Sequence, residues 1–131
     1  MPNAKGTFEI LSLGEDAYHE RDGEPKLTHA SGDQRFAGDI EGDGSVHWLM
    51  CYRPDKTARL VGIQRIEGSI GGRRGSFLIE ASGDHNGKSS EGTWRVIPGS
   101  GTNELAGIHG TGAFEAPSGP NATYHLEYEI E

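Results

Sequence analysis

The chain has 131 residues, of which 33% are hydrophobic, with 21 glycines, six prolines and a formal net charge of −8. That length fits one domain spanning 1–131, which buries roughly two-thirds of its unfolded surface. Twenty acidic against 12 basic residues, with no basic run longer than Arg73-Arg74, exclude the positive footprint that nucleic acid or an anionic membrane requires.

No stretch approaches the ~18 apolar residues of a membrane-spanning helix. The N-terminal MPNAKGTFEI carries neither an apolar signal core nor a cleavage site. A single cysteine, Cys51, allows no internal disulfide, so a reducing cytoplasm is the expected location. The Asn121-Ala122-Thr123 sequon is accordingly read as coincidental.

The dominant hydrophobic period is two, with glycine and proline spread throughout, which predicts many short strands joined by tight turns. Strands are predicted near 5–13, 27–40, 44–53, 57–70, 73–83, 88–97, 107–115 and 122–130. The polar segment 14–26 reads as a surface loop. The acidic run from Asp39 to Gly44 lacks the ligand spacing of a calcium loop and reads as a β-turn. Further breaks fall at Arg53-Pro54-Asp55-Lys56, Gly71-Gly72, Asn86-Gly87 and Ala116-Pro117-Ser118-Gly119-Pro120, where the residues suit hairpins. The longest break, Pro98 to Leu105, offers Thr102 or Asn103 as the cap of a single helical turn.

Treating Pro54-Asp55, Gly71-Gly72 and Asn86-Gly87 as two-residue loops locks four strands into one register. One face then collects His47, Leu49, Cys51, Leu60, Gly62, Gln64, Ile66, Phe77, Ile79, Ala81, Trp94 and Val96. The other collects Trp48, Met50, Tyr52, Arg59, Val61, Ile63, Arg65, Glu67, Leu78, Glu80, Glu91 and Arg95, with Arg65 in reach of Glu80. Charges sit only on the second face, so the first is the expected interior. Alternation adds Phe8, Ile10, Phe36, Ile40, Phe114, Tyr124, Leu126, Tyr128 and Ile130 to it. Eight such strands predict a closed, antiparallel, lipocalin-like β-barrel holding side chains or one small ligand. A slip of one residue at any turn would exchange the faces of a strand.

The outer wall of this arrangement would gather Val46, Trp48, Met50, Val61, Ile63 and Leu78. So contiguous an apolar patch marks either a homo-oligomer interface or a surface covered by segment 14–26.

The segments GDIEGDGSVHWLMCYRPD (38–55), LVGIQRIEGSIGGRRGSF (60–77), GTWRVIPGSGTNELAGIHGTG (92–112) and ATYHLEYEIE (122–131) resemble an uncharacterised bacterial family. The fold of that family is similar to the allene oxide cyclase barrel. The resemblance implies an eight-stranded barrel whose relatives include cyclases that hold a reactive hydrophobic substrate in the lumen. Family members often carry GLERV where this chain has Gly62-Ile63-Gln64-Arg65-Ile66, which removes an ionisable group at Gln64 and weakens a general-base role there.

Among the expected interior polar residues, His47 and Gln64 stand out. They would either satisfy each other or orient a substrate oxygen, with His47 as acid or base. Phe77, Trp94, Tyr124 and Tyr128 would line a ligand slot or simply fill the barrel. Cys51 would contribute an apolar lining rather than a nucleophile. Six scattered histidines form no metal signature, and no cofactor is expected. Neither Gly68–Gly75 nor Gly107–Gly112 opens a helix after a parallel strand, so neither is a phosphate loop. The expected function is binding of a small hydrophobic molecule, extending to a cofactor-independent isomerase or cyclase step. Its alternatives are a non-catalytic carrier or sensor and a ligand-free oligomeric interaction module.

Overall fold

Eight strands pair in chain order, each antiparallel to the next, and the last returns to the first to close a barrel. They are β1 (Asn3–His19), β2 (Lys26–Gly38), β3 (Ile40–Tyr52), β4 (Ala58–Ile70), β5 (Arg73–His85), β6 (Ser90–Val96), β7 (Ile108–Ala116) and β8 (Asn121–Ile130). This is the closed antiparallel barrel that the alternation predicts, seen in a computed structural model that describes residues 2–117 and 121–131. The expected turn at Ala116–Pro120 therefore lies partly outside the described residues. Among those residues no helix is long and apolar enough to cross a membrane.

The hairpins decide which side chains point inward. At Gly71-Gly72 both residues take positive φ, +60° and +82°, and Ile70 pairs with Arg73, the two-residue turn expected. After β5 the loop runs from Asn86 to Ser89, because His85 pairs with Ser90. The Asn86 side chain accepts hydrogen bonds from the Lys88 and Ser89 amides, both at 2.9 Å. This loop is two residues longer than expected, and an even displacement leaves every side chain on its predicted face.

The hairpin between β3 and β4 corrects the sequence reading. Arg53 and Thr57 close it, Lys56 donates to the Arg53 carbonyl at 3.0 Å, and Lys56 itself adopts φ +71°. Asp55 holds the bend by accepting from the Thr57 amide and hydroxyl. The loop is thus Pro54-Asp55-Lys56, one residue longer than the two assumed, and an odd displacement inverts β3. Trp48, not His47, lies opposite Gly62. Val46 is buried, and Trp48 and Met50 pack against the core, while His47, Leu49 and Cys51 face outward.

Three further corrections follow. The acidic run does not form a turn: Asp39 alone bends the chain, and Glu41 to Gly44 belong to β3. Strand β1 continues well past residue 13, leaving only 20–25 as loop, with a bulge between Ile10 and Ser12. The extra residue, Leu11, shifts the inward set from even to odd positions, so Leu13 and Glu15 fall opposite the interior-side residues Gly32 and Ala30. Arg65 meets Glu67 at 2.9 Å on its own strand rather than Glu80.

Inside, Phe8, Phe36, Trp94 and Tyr124 form a continuous aromatic stack, with centroid separations of 5.2 Å for Phe8–Phe36, 5.9 Å for Phe8–Trp94 and 5.5 Å for Trp94–Tyr124. Below the stack, Ile40, Ile66, Ile70, Phe77, Ile79, Ile108 and Leu126 exclude solvent, as does Leu105 from the single helical turn Asn103–Leu105. That turn begins after Thr102, as the sequence suggests, but the Thr102 hydroxyl does not cap it. Instead it bonds Ser76 at 2.7 Å and pins the segment to β5. The same segment covers Leu78, whose amide donates to Ser100 Oγ, so Leu78 is not exposed.

Candidate functional site

The end of the barrel opposite Leu105 is not filled. A cavity of about 230 Å³ lies there, lined by Phe8, Ile10, Leu13, Glu15, Ala30, Trp48, Met50, Tyr52, Leu60, His85, Ser90, Phe114 and Ala116. Small residues make the room. A Cβ on Gly62 would stand 2.5 Å from Trp48 Cδ1, and one on Gly92 2.7 Å from Phe114 Cε1, so these glycines let the two rings settle against the sheet.

The wall is largely apolar, and its polar groups are tied together. Glu15 Oε2 accepts hydrogen bonds from the Thr28 hydroxyl at 2.6 Å and the Tyr52 hydroxyl at 2.5 Å. Burial first, and then the Glu15 carboxylate, push the Tyr52 phenol up to about 12, so it remains a donor. Across the cavity His85 Nδ1 bonds Ser90 Oγ at 2.9 Å. The indole nitrogen of Trp48 is buried and lacks a partner among the described residues.

The residues singled out from the sequence divide sharply. Gln64 does point inward and is buried, but it donates to Gln34 Oε1 at 2.8 Å and has no contact with His47. The Gln34 amide nitrogen and the Trp94 indole nitrogen are buried without partners among the described residues. His47 stands on the outer wall, stacked on His29 with 3.0 Å between Nδ1 and Nε2. Cys51 is half-buried on that wall. Phe77, Trp94, Tyr124 and Tyr128 are buried interior groups that do not line the cavity. Tyr124 is a strut: its hydroxyl accepts from the Ile40 amide at 2.8 Å and donates to the Ala37 carbonyl at 3.0 Å. Of the expected interface residues, Trp48 and Met50 line the cavity, whereas Val61 and Ile63 are exposed beside Leu49.

Sequence reasoning missed Leu13, Glu15, Tyr52, His85 and Ser90. Tyr52 was hidden by the inverted strand and Glu15 by the bulge, for which Leu11 leaves no glycine as a marker. One potential metal-ligand group lies elsewhere, on the outer wall: His109 Nε2 is 3.2 Å from Glu131 Oε1 and 3.8 Å from Glu129 Oε2. Only the Glu131 contact is a hydrogen bond, and the three groups lie partly exposed across β7 and the end of β8, beside a surface groove of about 590 Å³.

Comparison with known proteins agrees with this architecture. The family described as "Protein of unknown function (DUF3224)" matches residues 4–128. A crystal structure of a DUF3224 protein of unknown function from Shewanella oneidensis MR-1 superposes with a TM-score of 0.84 at 27% identity, covering 100% of this chain and 98% of that one. No curated protein matches. The chain belongs to the DUF3224 family, in line with the resemblance read from its segments.

Proposed function

We propose that this DUF3224 barrel binds a small, mainly apolar molecule at its open end rather than deep in its lumen. One observation carries the reading: the 230 Å³ cavity at the open end has a largely apolar wall that includes the rings of Phe8, Trp48, Tyr52 and Phe114. The volume is below the about 300–1,000 Å³ of pockets for drug-sized molecules, so the ligand is small. An isomerase or cyclase step, as the family resemblance implies, would need a proton-handling group other than His47. The cavity offers Tyr52, Glu15 and His85.

The test is thermal denaturation with 2-phenylethanol. A ligand that binds only the folded protein raises the Tm with concentration. The rise is expected in the wild type and not in Ala30→Leu, which fills the cavity from a buried lining position, nor in Ala116→Leu, a second filler at the partly exposed rim. No rise with 2-phenylethanol or indole up to their solubility overturns the reading.

Self-association has its own observation. Leu49, Val61 and Ile63 form an apolar surface patch across β3 and β4, each between 45% and 49% exposed. Light scattering would detect a dimer that Ile63→Lys dissociates, and a monomer at all concentrations would remove this part. A cytoplasmic location, expected from the lone thiol of Cys51, belongs to the same proposal.

A further inference from the structure

The lining of the open end is uneven in charge. Four aromatic rings, Phe8, Trp48, Tyr52 and Phe114, share it with one carboxylate, Glu15, and with no lysine or arginine. Basic residues at that end are engaged or stand outside. Asp84 holds both Arg53 and Arg59, at 3.1 and 2.9 Å, and Glu20 lies 3.8 Å from Lys26. Lys56 and Lys88 sit on exposed loops and do not line the cavity.

Glu15 is also fixed in place. The buried Thr28 and the Tyr52 hydroxyl both bond its Oε2, which leaves Oε1 without a hydrogen bond among the described residues. A twice-bonded carboxylate at the solvent-exposed rim, beside several aromatic faces, is the arrangement that attracts a cation, through the ring quadrupoles and through charge-assisted hydrogen bonding. A ligand carboxylate would meet repulsion from Glu15; the basic groups nearest the lining are His85, bonded through Nδ1 to Ser90, and Lys26, 5.9 Å from the Tyr52 ring centroid and already beside Glu20. The net charge of −8 adds a long-range attraction for cations.

We infer that the cavity selects small organic ammonium ions over their neutral and anionic isosteres, with the Glu15 carboxylate as counter-ion. This rests on the open end being a ligand site, and it names the class of ligand. The space, about 230 Å³, equals roughly eight waters at ~30 Å³ each, enough for one ring and a short ammonium arm.

Three near-isosteric probes test it at neutral pH: 2-phenylethylamine, 2-phenylethanol and phenylacetate. Binding is followed through the indole N–H resonance of Trp48 in an NMR titration. The amine should bind about tenfold more tightly than the alcohol, and phenylacetate more weakly than either. Glu15→Gln should bring the amine to the affinity of the alcohol. Asp16→Asn removes the same charge from a position opposite the outward His29 and should leave the preference intact. Equal affinities of amine and alcohol in the wild type overturn the cation preference while leaving the ligand site standing. So does a preference that survives Glu15→Gln. If Glu15→Gln does not fold, the wild-type series decides alone. Failure of all three probes to bind removes both the inference and the reading beneath it.

Discussion

The two ends of this barrel are built from the same eight strands and differ in what stops them. At the sealed end the segment from Ile97 to Gly107 folds across the opening, and Leu105 joins Ile40, Ile70 and Ile108 in an aliphatic plug. At the open end short hairpins leave the rings of Trp48 and Phe114 facing a cavity ringed by Glu15, Tyr52, His85 and Ser90. Packing therefore concentrates stability at one end, and the other is free to be shaped for recognition.

The contrast breaks first under truncation. Trp94→Ala in the aromatic stack should cost about 3–5 kcal/mol and Leu105→Ala about 2–5 kcal/mol in urea unfolding. Met50→Ala, on the wall of a space already empty, should cost at most about 2 kcal/mol. Comparable losses at Leu105 and Met50 would erase the distinction between the ends.

A smaller effect is expected at the buried amide pair. Gln64→Leu strands the Gln34 carbonyl oxygen, whose bond to Gln64 is 2.8 Å, and should cost about 1–3 kcal/mol. An unchanged urea midpoint would mean that Gln34 finds another partner.

Alkaline titration sharpens the comparison, because each region holds one perturbed tyrosine. Burial raises Tyr124 to about 12, opposed by the bond from Ile40, and Tyr52 at the open end is likewise raised to about 12. Both phenols hold their proton more tightly folded than unfolded. Their contribution is complete below pH 10 and is lost as pH climbs from about 10 to 12. Stability should fall across that window, and phenolate absorbance should show two tyrosines titrating near its top. The smallest effect belongs to Tyr52→Phe, which removes one donor to Glu15 at the solvent-facing rim. It should change stability by no more than about 1 kcal/mol and leave one late-titrating tyrosine, Tyr124, instead of two.

Much of the barrel was legible because the period of two survives even where a loop is misjudged. At Asn86 the loop is two residues longer than Asn-Gly suggests, and Trp94 and Val96 still face inward. At Pro54 the loop is longer by one, and β3 turned over, exchanging His47 and Cys51 for Trp48 and Met50. Nothing in the residue type announces that turn, because the left-handed position is filled by Lys56 instead of glycine. The bulge at Leu11 had the same effect on Glu15. The candidate site takes Leu13, Glu15, Trp48, Met50 and Tyr52 from these two segments, which is why it was misplaced when the fold was not.

Diffraction from a crystal soaked with 2-phenylethanol tests the central claim most directly. The account predicts density for the ligand between Trp48, Met50 and Phe114, with the His47 ring outside against His29. Ligand density elsewhere with this cavity empty, or His47 inside the barrel with Trp48 on its surface, would contradict it.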